Sequence, residues 1–568
     1  MLAASGTGLI AATAGPTSAP APAPTPGRAV NSRHRADHHG DGTPEQIHLT
    51  WGDDPARSVV VSWASPAPAV RPRVRIGQRV IPAEERTYTD GLSGATVWTY
   101  HARVLGLRPG ATYGYAVTAD NDGNRADPFS ATFTTAPEGR AAFRFTSFGD
   151  LATPNTAWVL SYGQSAYAVG AVESFQPLFH LLNGDLCYAD LNPLSQPEVW
   201  RDFGNNNQAS AAYRPWMPVP GNHEIEFGNG PQGLLSYLTR YTLPSNGTPG
   251  LEGRWYCFRI GSVLFVSLSA DDVVHQDAGA FVAGPNALTP APSTGNQALA
   301  AGASFYVHGY SGGAQTRWLE ATLATARRDA SIDWIVAQMH QCACSSSRDG
   351  NGSDLGIREE WLPLFDRYEV DLVLCGHDHS YERSFPVRGF DIAAGTDALT
   401  GAAVDTRRPH PMTTVDSGVF DTSQGTVHLI LGCGGTDDNL DVFGARDNGV
   451  VQAKVFTRAN RPTLTATQGV FDRPEADAVE DATWSARRDT STGYGIAVFD
   501  VNPGTEAGGQ TSITVTHYHA VGADPVNPLS GEPGAPTDDY TVFETFTLVR
   551  PRSDGRRWHA KQSTSVVA

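Results

Sequence analysis

The pattern of hydrophobic and polar positions changes once along the chain, near residue 137. From residue 46 to residue 133, short apolar runs with a period of two are separated by turns, with no helical period between them. Alternating β-branched or aromatic and polar residues are typical of strands with one buried face. Strands at this spacing predict an N-terminal β-sandwich, which contains no cluster of titratable residues and serves as a scaffold or binding module.

After residue 137, apolar runs suited to buried strands alternate with helix-compatible segments, two of which cover residues 315–328 and 358–368. Four residues at helical spacing in the second segment are predicted to be core residues: Trp361, Leu364, Phe365 and Tyr368. Alternating strands and helices predict an α/β domain, in which ligands gather at the carboxyl ends of the strands.

The C-terminal part of the chain is less regular. Residues 389–425 and 436–491 are rich in Gly, Thr, Asp and Arg, which predicts long loops around strands. Three further runs, 493–501, 512–519 and 540–549, are predicted to close the second sheet of the α/β domain.

Several buried strands end in side chains that bind metals. The apolar run 370–375 is followed by Gly376 and then by His377 and His379, so one rigid strand delivers two imidazoles. Four other runs end in acids, an amide or a histidine. Together they supply seven candidate metal ligands: Asp150, Asp185, Tyr188, Asn222, His340, His377 and His379.

Seven ligands exceed what one tetrahedral zinc ion accepts, and they suit two ions that share a bridging carboxylate. Asp185 is the predicted bridge because a carboxylate offers two oxygens. Oxygen and imidazole ligands together favour iron, manganese or zinc. A phenolate competes as a ligand only for a strongly Lewis-acidic ion, so Tyr188 predicts Fe(III) beside a divalent Fe, Zn or Mn ion.

Length and charge narrow the choice of function. A chain of 568 residues predicts two or three domains. Its net charge of -18 opposes non-specific binding to nucleic acids but not a small phosphorylated substrate, because the charge of a metal can outweigh the global field locally. No apolar run reaches membrane-spanning length, so we expect no integral membrane segment. The oligomeric state is left open.

The cysteines do not have the spacing of a zinc ribbon, and we expect a mixture of buried thiols and one or two disulfides. There are six: Cys187, Cys257, Cys342, Cys344, Cys375 and Cys433.

The first nineteen residues are small and apolar, as in a bacterial export signal, but no basic segment precedes them. We therefore expect a secreted or cell-surface protein whose coding sequence begins upstream with basic residues, which a stop codon just before Met1 would exclude. The predicted division of the chain is a signal-like segment with an Ala/Pro linker over residues 1–42, the β-sandwich over 43–137, the catalytic domain over 138–550 and a disordered tail over 551–568.

The strand-end motifs resemble those of the purple acid phosphatases, a family of the calcineurin-like metallophosphoesterases. Five motifs occur in the order of that family: Gly149-Asp150, Gly184-Asp185-x-x-Tyr188, Gly221-Asn222-His223-Glu224, a strand ending in His340, and Gly376-His377-x-His379. The N-terminal β domain resembles the fibronectin-III-like domain of the plant-type members. The resemblance of the catalytic part spans residues 143 to 383.

This resemblance implies two facing mixed β-sheets flanked by helices. It also implies an acid phosphatase that hydrolyses phosphate monoesters by attack of a metal-bound hydroxide. It assigns the ligands in two groups around the bridging Asp185: Asp150, Tyr188 and His379 for Fe(III), and Asn222, His340 and His377 for the divalent ion. His223 is the candidate catalytic residue, which contacts the phosphoryl group or protonates the leaving group.

The chain departs from the family at two places. The first motif of the family reads Gly-Asp-x-Gly, whereas this chain has Ala152 at the last position. Many other members of the superfamily carry a histidine ligand there, and Tyr188 replaces it here. After His340, plant-type members carry histidines or a tyrosine that handle the substrate, and residues 341–348 contain neither.

Two alternatives remain open. A phosphodiesterase or nucleotidase on the same metal core would differ in its preference for diesters over monoesters. A phosphate-binding or adhesion protein, whose β domain does the work, predicts damage to at least one ligand, and all seven are intact. The divalent metal, the natural substrate and the pH optimum are not determined by the sequence.

Overall fold

The structure is a computed structural model. It describes residues 42–120, 128–226, 229, 233–276, 283–284, 304–305, 309–392, 395–437, 450–458, 461–462, 471–473, 476–520 and 540–555. The predicted signal-like segment therefore lies outside the described residues.

The N-terminal domain is a sandwich of two four-stranded antiparallel sheets, as predicted. In spatial order, one sheet contains Glu45–Trp51, Ser58–Ser65, Thr96–Leu105 and Glu84–Thr89, and the other contains Arg79–Pro82, Arg73–Ile76, Thr112–Thr118 and Phe129–Thr134. Trp63 stacks on Tyr100 in the core between them, with ring centroids 5.6 Å apart. Among the described residues, no group of potential metal ligands lies in this domain.

Two seven-stranded mixed sheets form the centre of the second domain. The first contains, in spatial order, Trp216–Pro218, Phe179–Leu182, Phe143–Phe148, Gly495–Asn502, Gln510–His519, Thr541–Pro551 and Val419–Asp421. The second contains Tyr256–Ile260, Val263–Ser267, Trp334–Gln338, Leu372–Cys375, Val427–Leu431, Tyr381–Ser384 and Ser485–Arg488. The strands that lead to the predicted ligands are parallel neighbours within each sheet.

The two sheets face each other across an aromatic core. Phe145 of the first sheet stacks on Phe499 of the neighbouring strand, with ring centroids 4.4 Å apart. The ring of Phe145 also meets Phe265 of the second sheet edge-on at 5.1 Å. All three side chains are buried. Aromatic burial of this kind supplies much of the stability of a two-layer core, and here it holds the strand ends of both sheets together.

Helices cover the outer faces of both sheets. They are Gln164–Phe175, Gln196–Ala211, Asn222–Ile225, Leu235–Arg240, Ala314–Arg328, Leu355–Glu360 and Leu362–Arg367, with 3-10 turns at Ala189–Leu191, Ala270–Asp272 and Ser553–Gly555. Phe175 packs on Tyr518 of the first sheet, with ring centroids 4.5 Å apart. Leu319 and Leu323, one turn apart on a helix, share a buried cluster with Ile335 of the second sheet. The predicted arrangement of two sheets flanked by helices is confirmed.

The sandwich docks on the outer helix Gln196–Ala211. Arg201 of this helix forms an ion pair with Glu45 of the sandwich at 2.8 Å. Tyr115 donates a hydrogen bond of 2.8 Å to the carbonyl of Ala212 at the end of the helix. The sandwich therefore supports the helical layer of the first sheet.

The helical segment predicted over residues 358–368 is confirmed except for its continuity, because the structure has two short helices with a break at Trp361. Pro363 has no backbone N–H and cannot continue the hydrogen bonding of the first helix. The core role predicted for the four residues of this segment is confirmed, since all are buried: Trp361, Leu364, Phe365 and Tyr368.

The predicted long loops contain more structure than expected. A five-stranded sheet consists of Ser353–Asp354, Gln452–Arg458, Ala476–Asp481, Gly395–Asp397 and Ala403–Val404. Three strand pairs are Val387–Asp391 with Arg408–Pro411, Arg461–Pro462 with Phe471–Arg473, and Ala283–Gly284 with Ser304–Phe305. Most of these strands are too short to show a period of two, so the sequence pattern did not predict them.

The C-terminal strands join a different sheet from the predicted one. Gly495–Asn502 pairs antiparallel with Phe143–Phe148, so this strand and the two after it complete the first sheet. The last strand reaches Pro551, and the amide of Ser553 donates to a carboxylate oxygen of Asp333 at 2.8 Å. The predicted disordered tail therefore does not begin at residue 551, and residues 556–568 lie outside the described part.

All six cysteines lie among the described residues, and each is a free thiol, so the expected disulfides are wrong. Five of them are buried and only Cys257 is partly exposed. In the described part of the chain, no helix combines the length and the apolar character needed to span a membrane.

Candidate metal centre

The strands of both sheets bring the seven predicted ligands to one place. Because the carboxyl ends of neighbouring parallel strands share an edge, the residues that follow them lie close together. The first sheet supplies Asp150, Asp185, Tyr188 and Asn222, and the second supplies His340, His377 and His379; all are buried. Their role as metal ligands stays a prediction.

The first group of predicted ligands brings three candidate metal-binding atoms together, from Asp150, Tyr188 and His379. The hydroxyl oxygen of Tyr188 lies 3.2 Å from Asp150 Oδ1 and 3.1 Å from His379 Nε2, and the last two atoms are 3.3 Å apart. On its other side, His379 Nδ1 lies 2.5 Å from Asp437 Oδ1. Since a carboxylate only accepts, Nδ1 donates, and a neutral His379 presents its Nε2 lone pair to the group.

Tyr188 is poorly placed to ionise without a compensating cation. Burial raises the pKa of Tyr188 well above its usual value, and the carboxylates of Asp150 and Asp185 raise the pKa further. Only a strong Lewis acid makes the phenolate competitive in such surroundings.

His340 is the centre of the second group. Its Nε2 lies 3.0 Å from Asp185 Oδ2, 3.1 Å from Asn222 Oδ1 and 3.3 Å from His377 Nδ1. Its Nδ1 lies 2.7 Å from the carbonyl oxygen of Asn183 and must donate to it. A neutral His340 therefore presents a lone pair at Nε2, towards the other ligands.

The orientation of Asn222 is fixed in the same way. Its amide nitrogen donates to Glu226 Oε1 at 2.6 Å, so its carbonyl oxygen faces His340. Lone pairs of oxygen and nitrogen separated by 3.0 to 3.1 Å repel each other unless positive charge lies between them.

The electrostatics of the site favour that positive charge. Burial lowers the pKa of His340, but Asp185 and Asp150 outweigh burial and raise it to about 10. The cavity therefore attracts a proton or a cation, and carboxylate, amide, phenol and imidazole donors together fit ions of the iron, manganese and zinc type. The residues present thus fit a pair of metal ions.

Glycines allow the ligands to approach this closely. A Cβ atom on Gly221 would lie 2.2 Å from Asp185 Oδ1, and a Cβ atom on Gly376 would lie 2.3 Å from Asp150 Oδ2. Both carboxylates thus rest directly on glycine backbone, which explains the glycines that precede Asn222 and His377 in the sequence.

The ligand turns hold unusual backbone conformations. Four ligands lie in the left-handed region, where non-glycine residues are strained: Asp150 (φ 57°), Asp185 (φ 49°), Tyr188 (φ 56°) and His377 (φ 73°). Hydrogen bonds between turns hold this conformation, as the amide of His377 donates to Asp150 Oδ2 at 3.0 Å. Ala152, where the family has glycine, also has a positive φ of 59°. The turn therefore keeps the conformation that glycine favours, although the residue is alanine.

His223 lies at the rim of the metal centre, with 17% of its side chain exposed. Its Nδ1 is 3.0 Å from Asp190 Oδ2, and its Nε2 faces Asp185 Oδ2 at 3.9 Å. Burial lowers the pKa of His223, but the carboxylates of Asp190, Asp185 and Glu226 outweigh burial and raise it well above its usual value. His223 can therefore carry a proton at neutral pH.

Sequence reasoning assigned no role to Glu226, which orients Asn222, or to three further carboxylates of the site. Asp437 follows the strand Val427–Leu431 after a glycine-rich turn, which is the same signal that identified the ligands. Glu224 lies within the third motif and accepts from the amides of Leu186 and Gly221, each at 2.9 Å, so it ties two ligand turns together. Asp190 had no comparable signal in the sequence.

Comparisons with known proteins identify the family of both domains. A model of the purple acid phosphatase N-terminal domain matches residues 44–136, and a model of the calcineurin-like phosphoesterases matches residues 143–381. An uncharacterized protein of Mycobacterium tuberculosis (Rv2577) is 41% identical over 527 residues, which are 89% of this chain and 87% of that protein. The Fe(3+)-Zn(2+) purple acid phosphatase 12 of Arabidopsis thaliana is 25% identical over 61% of this chain and 66% of its own length.

Among solved structures, the fold is similar to purple acid phosphatase PPD1 from yellow lupin (Lupinus luteus) seeds. The TM-score is 0.56 at 16% sequence identity, with 93% of this chain and 78% of that chain covered. The match to the phosphoesterase model, with a sandwich followed by two facing mixed sheets and predicted metal ligands at their strand ends, defines a calcineurin-like metallophosphoesterase. The chain belongs to the purple acid phosphatase family, and it is a hydrolase of phosphate monoesters.

The glycine contacts predict that Gly376→Ala removes metal from the protein. The added methyl group would meet Asp150 Oδ2 at 2.3 Å and the carbonyl of Asn183 at 2.7 Å, and neither atom can move without displacing a ligand. We expect the metal content per chain, measured by plasma mass spectrometry after dialysis, to fall by half or more. Gly170→Ala is the matched control, because its Cβ meets no atom within 4 Å. Full metal content in Gly376→Ala would contradict the geometry of the site.

Proposed function

We propose that the chain is a secreted acid phosphatase that hydrolyses phosphate monoesters at a dinuclear centre of Fe(III) and a divalent ion. The observation that carries the proposal is the presence of two buried donor groups beside each other, one with Tyr188 and one with Asn222. Asp185 belongs to the second group and is the bridging ligand in this proposal. Export is supported by the small apolar residues at positions 2–19.

When bound, the two ions supply a nucleophilic water at neutral or acidic pH and neutralise charge on the transferred phosphoryl group. The protein orients the ligands for this task. Asp437 and the carbonyl of Asn183 each accept a hydrogen bond from one imidazole, so that His379 and His340 direct their other nitrogens inward. Burial of the ligands keeps bulk water away from them.

His223 handles protons or the phosphoryl group in this mechanism. Asp190 accepts from Nδ1 and fixes the ring, which leaves Nε2 on the side of Asp185. From there Nε2–H donates a hydrogen bond to a phosphoryl oxygen or gives its proton to the leaving alkoxide. The carboxylates around the ring keep the imidazole protonated, which both roles require.

The proposed function predicts a preference for monoesters. We expect kcat/KM for p-nitrophenyl phosphate to exceed that for bis(p-nitrophenyl) phosphate by about tenfold or more, because a monoester presents more charged oxygens to the site. Both substrates release the same leaving group, so the comparison isolates the ester class. Preference for the diester would indicate a phosphodiesterase on the same core. Absence of turnover by fully metal-loaded protein would contradict the proposal.

Substitution of His223 distinguishes its two roles. If His223 protonates the leaving group, His223→Asn should lower kcat for an alkyl phosphate by about 10²–10⁴-fold and affect p-nitrophenyl phosphate much less, since p-nitrophenolate needs no proton. An equal loss with both substrates indicates contact with the phosphoryl group. Metal content should stay at the wild-type value, and unchanged turnover would remove His223 from the mechanism.

The pH profile gives an independent check on His223. Because the protonated form acts, activity is lost as pH rises through the pKa of His223, which the neighbouring carboxylates raise. Asp190→Asn removes one of these charges and should move the alkaline limb of kcat/KM to lower pH. A limb that stays in place, or moves to higher pH, would show that His223 does not set it.

A further inference from the structure

The three imidazoles predicted as metal ligands do not have their tautomers fixed in the same way. His340 donates from Nδ1 to a backbone carbonyl, and His379 donates from Nδ1 to a carboxylate, both of which can only accept. His377 instead has its Nε2 2.7 Å from the side-chain oxygen of Gln276. An amide can turn over and present its NH₂ group, so Gln276 alone would not decide which nitrogen of His377 carries the hydrogen.

Asn351 removes this ambiguity by closing a ring of hydrogen bonds. Its side-chain nitrogen Nδ2 lies 2.6 Å from the backbone carbonyl oxygen of His377. Its side-chain oxygen Oδ1 lies 3.0 Å from the side-chain nitrogen Nε2 of Gln276. The ring thus runs from the carbonyl of His377 through Asn351 and Gln276 back to the imidazole of His377.

Only one direction of hydrogen bonding satisfies the whole ring. The carbonyl of His377 can only accept, so Asn351 must direct its NH₂ group at it and its oxygen at Gln276. Gln276 must then direct its NH₂ group at Asn351 and its oxygen at His377, whose Nε2 must donate. The reverse orientation would place the oxygen of Asn351 2.6 Å from the carbonyl oxygen, an unfavourable contact between two acceptors.

The ring is anchored in the fold. The backbone amide of Gln276 donates to Asp354 Oδ2 at 2.8 Å, and 7% of Gln276 is exposed. Asn351 lies three residues after the segment 341–348 that lacks the plant-type motif, and the next residue, Gly352, donates to the carboxylate of Asp378 beside His377. This segment therefore packs around the turn that carries His377.

We propose that Gln276 and Asn351 are positioning residues that hold His377 in the Nε2–H tautomer and direct its Nδ1 lone pair at the divalent-metal position. The inference rests on the proposed function only in naming that position. His377 Nδ1 lies 3.3 Å from His340 Nε2, on the side of the other ligands of this group. The ring thus sets both the protonation and the orientation of a ligand whose backbone is in the left-handed region.

The tautomer is measured on the metal-free, full-length protein labelled with [¹⁵N]histidine. Long-range ¹H–¹⁵N spectra distinguish a protonated from an unprotonated ring nitrogen, and His377→Gln identifies the signals of His377. We expect the Nε2–H form in the wild type and a mixture of both tautomers in Asn351→Ala. The Nδ1–H form in the wild type, or a single unchanged tautomer in Asn351→Ala, would overturn the proposal.

Metal affinity gives the second readout, with Zn²⁺ titrated into the protein by calorimetry or with a competing chelator. Gln276→Met keeps the size of the side chain but offers only a weak sulfur acceptor, and we expect about 10–100-fold weaker binding at the divalent position. Gln276→Glu still accepts from Nε2 but no longer donates to Asn351, and it should lose much less affinity than Gln276→Met. The exposed Gln424→Met is the matched control and should have no effect.

The two variants of Gln276 separate positioning from packing. Wild-type affinity in Gln276→Met, or an equal loss in Gln276→Glu and Gln276→Met, would overturn the proposal. Neither readout uses a substrate, so failure of the ring and failure of the phosphatase function are distinguishable. If Gln276→Met does not fold, Asn351→Ala, at a partly exposed position, supplies both measurements.

Discussion

The catalytic domain depends on one constraint, which is that several buried oxygen and nitrogen acceptors lie close to one another at the strand ends. His340 Nε2 lies within 3.3 Å of a carboxylate oxygen, an amide oxygen and a second imidazole nitrogen, all buried. Next to it, a phenol, a carboxylate and an imidazole form a second close group. Such arrangements are unfavourable without positive charge, and a protein keeps them only when the rest of the fold enforces them.

The fold enforces them in three ways. Aromatic packing between the facing sheets, with Phe145 at its centre, holds the strand ends in register. Glycines such as Gly221 and Gly376 leave room for a carboxylate directly on the backbone. Groups behind the ligands then accept a hydrogen bond from the imidazole nitrogen that does not face the centre. The acceptor is a backbone carbonyl for His340, a carboxylate for His379 and the side chain of Gln276 for His377. The energy of folding thus maintains a site whose converging acceptor atoms need positive charge between them.

The sequence predicted the parts of this structure that have local signals. Buried strands ending in Gly and a polar residue were recognisable one by one, and the order of the motifs identified the family. Asp437 carries the same signal, after the strand Val427–Leu431, and could have been found. The sandwich was predictable because its strands alternate regularly.

Other features depend on contacts that no local pattern contains. The pairing of Gly495–Asn502 with Phe143–Phe148 joins segments far apart in the chain, so the sheet of the C-terminal strands was predicted wrongly. The five-stranded sheet was missed because most of its strands are short. Gln276 and Asn351 are ordinary polar residues in the sequence, and only the fold places them behind His377. The expected disulfides failed because burial of a thiol needs no partner cysteine.

We propose that Tyr188 and its neighbours bind a trivalent iron beside a divalent ion. Metal analysis of the purified protein, together with its visible absorption spectrum, tests this claim most directly. We expect iron with a second metal, and a phenolate-to-iron charge-transfer band that disappears in Tyr188→Phe. A colourless, active protein with two divalent ions would contradict the ferric site and leave Tyr188 without a role as a ligand.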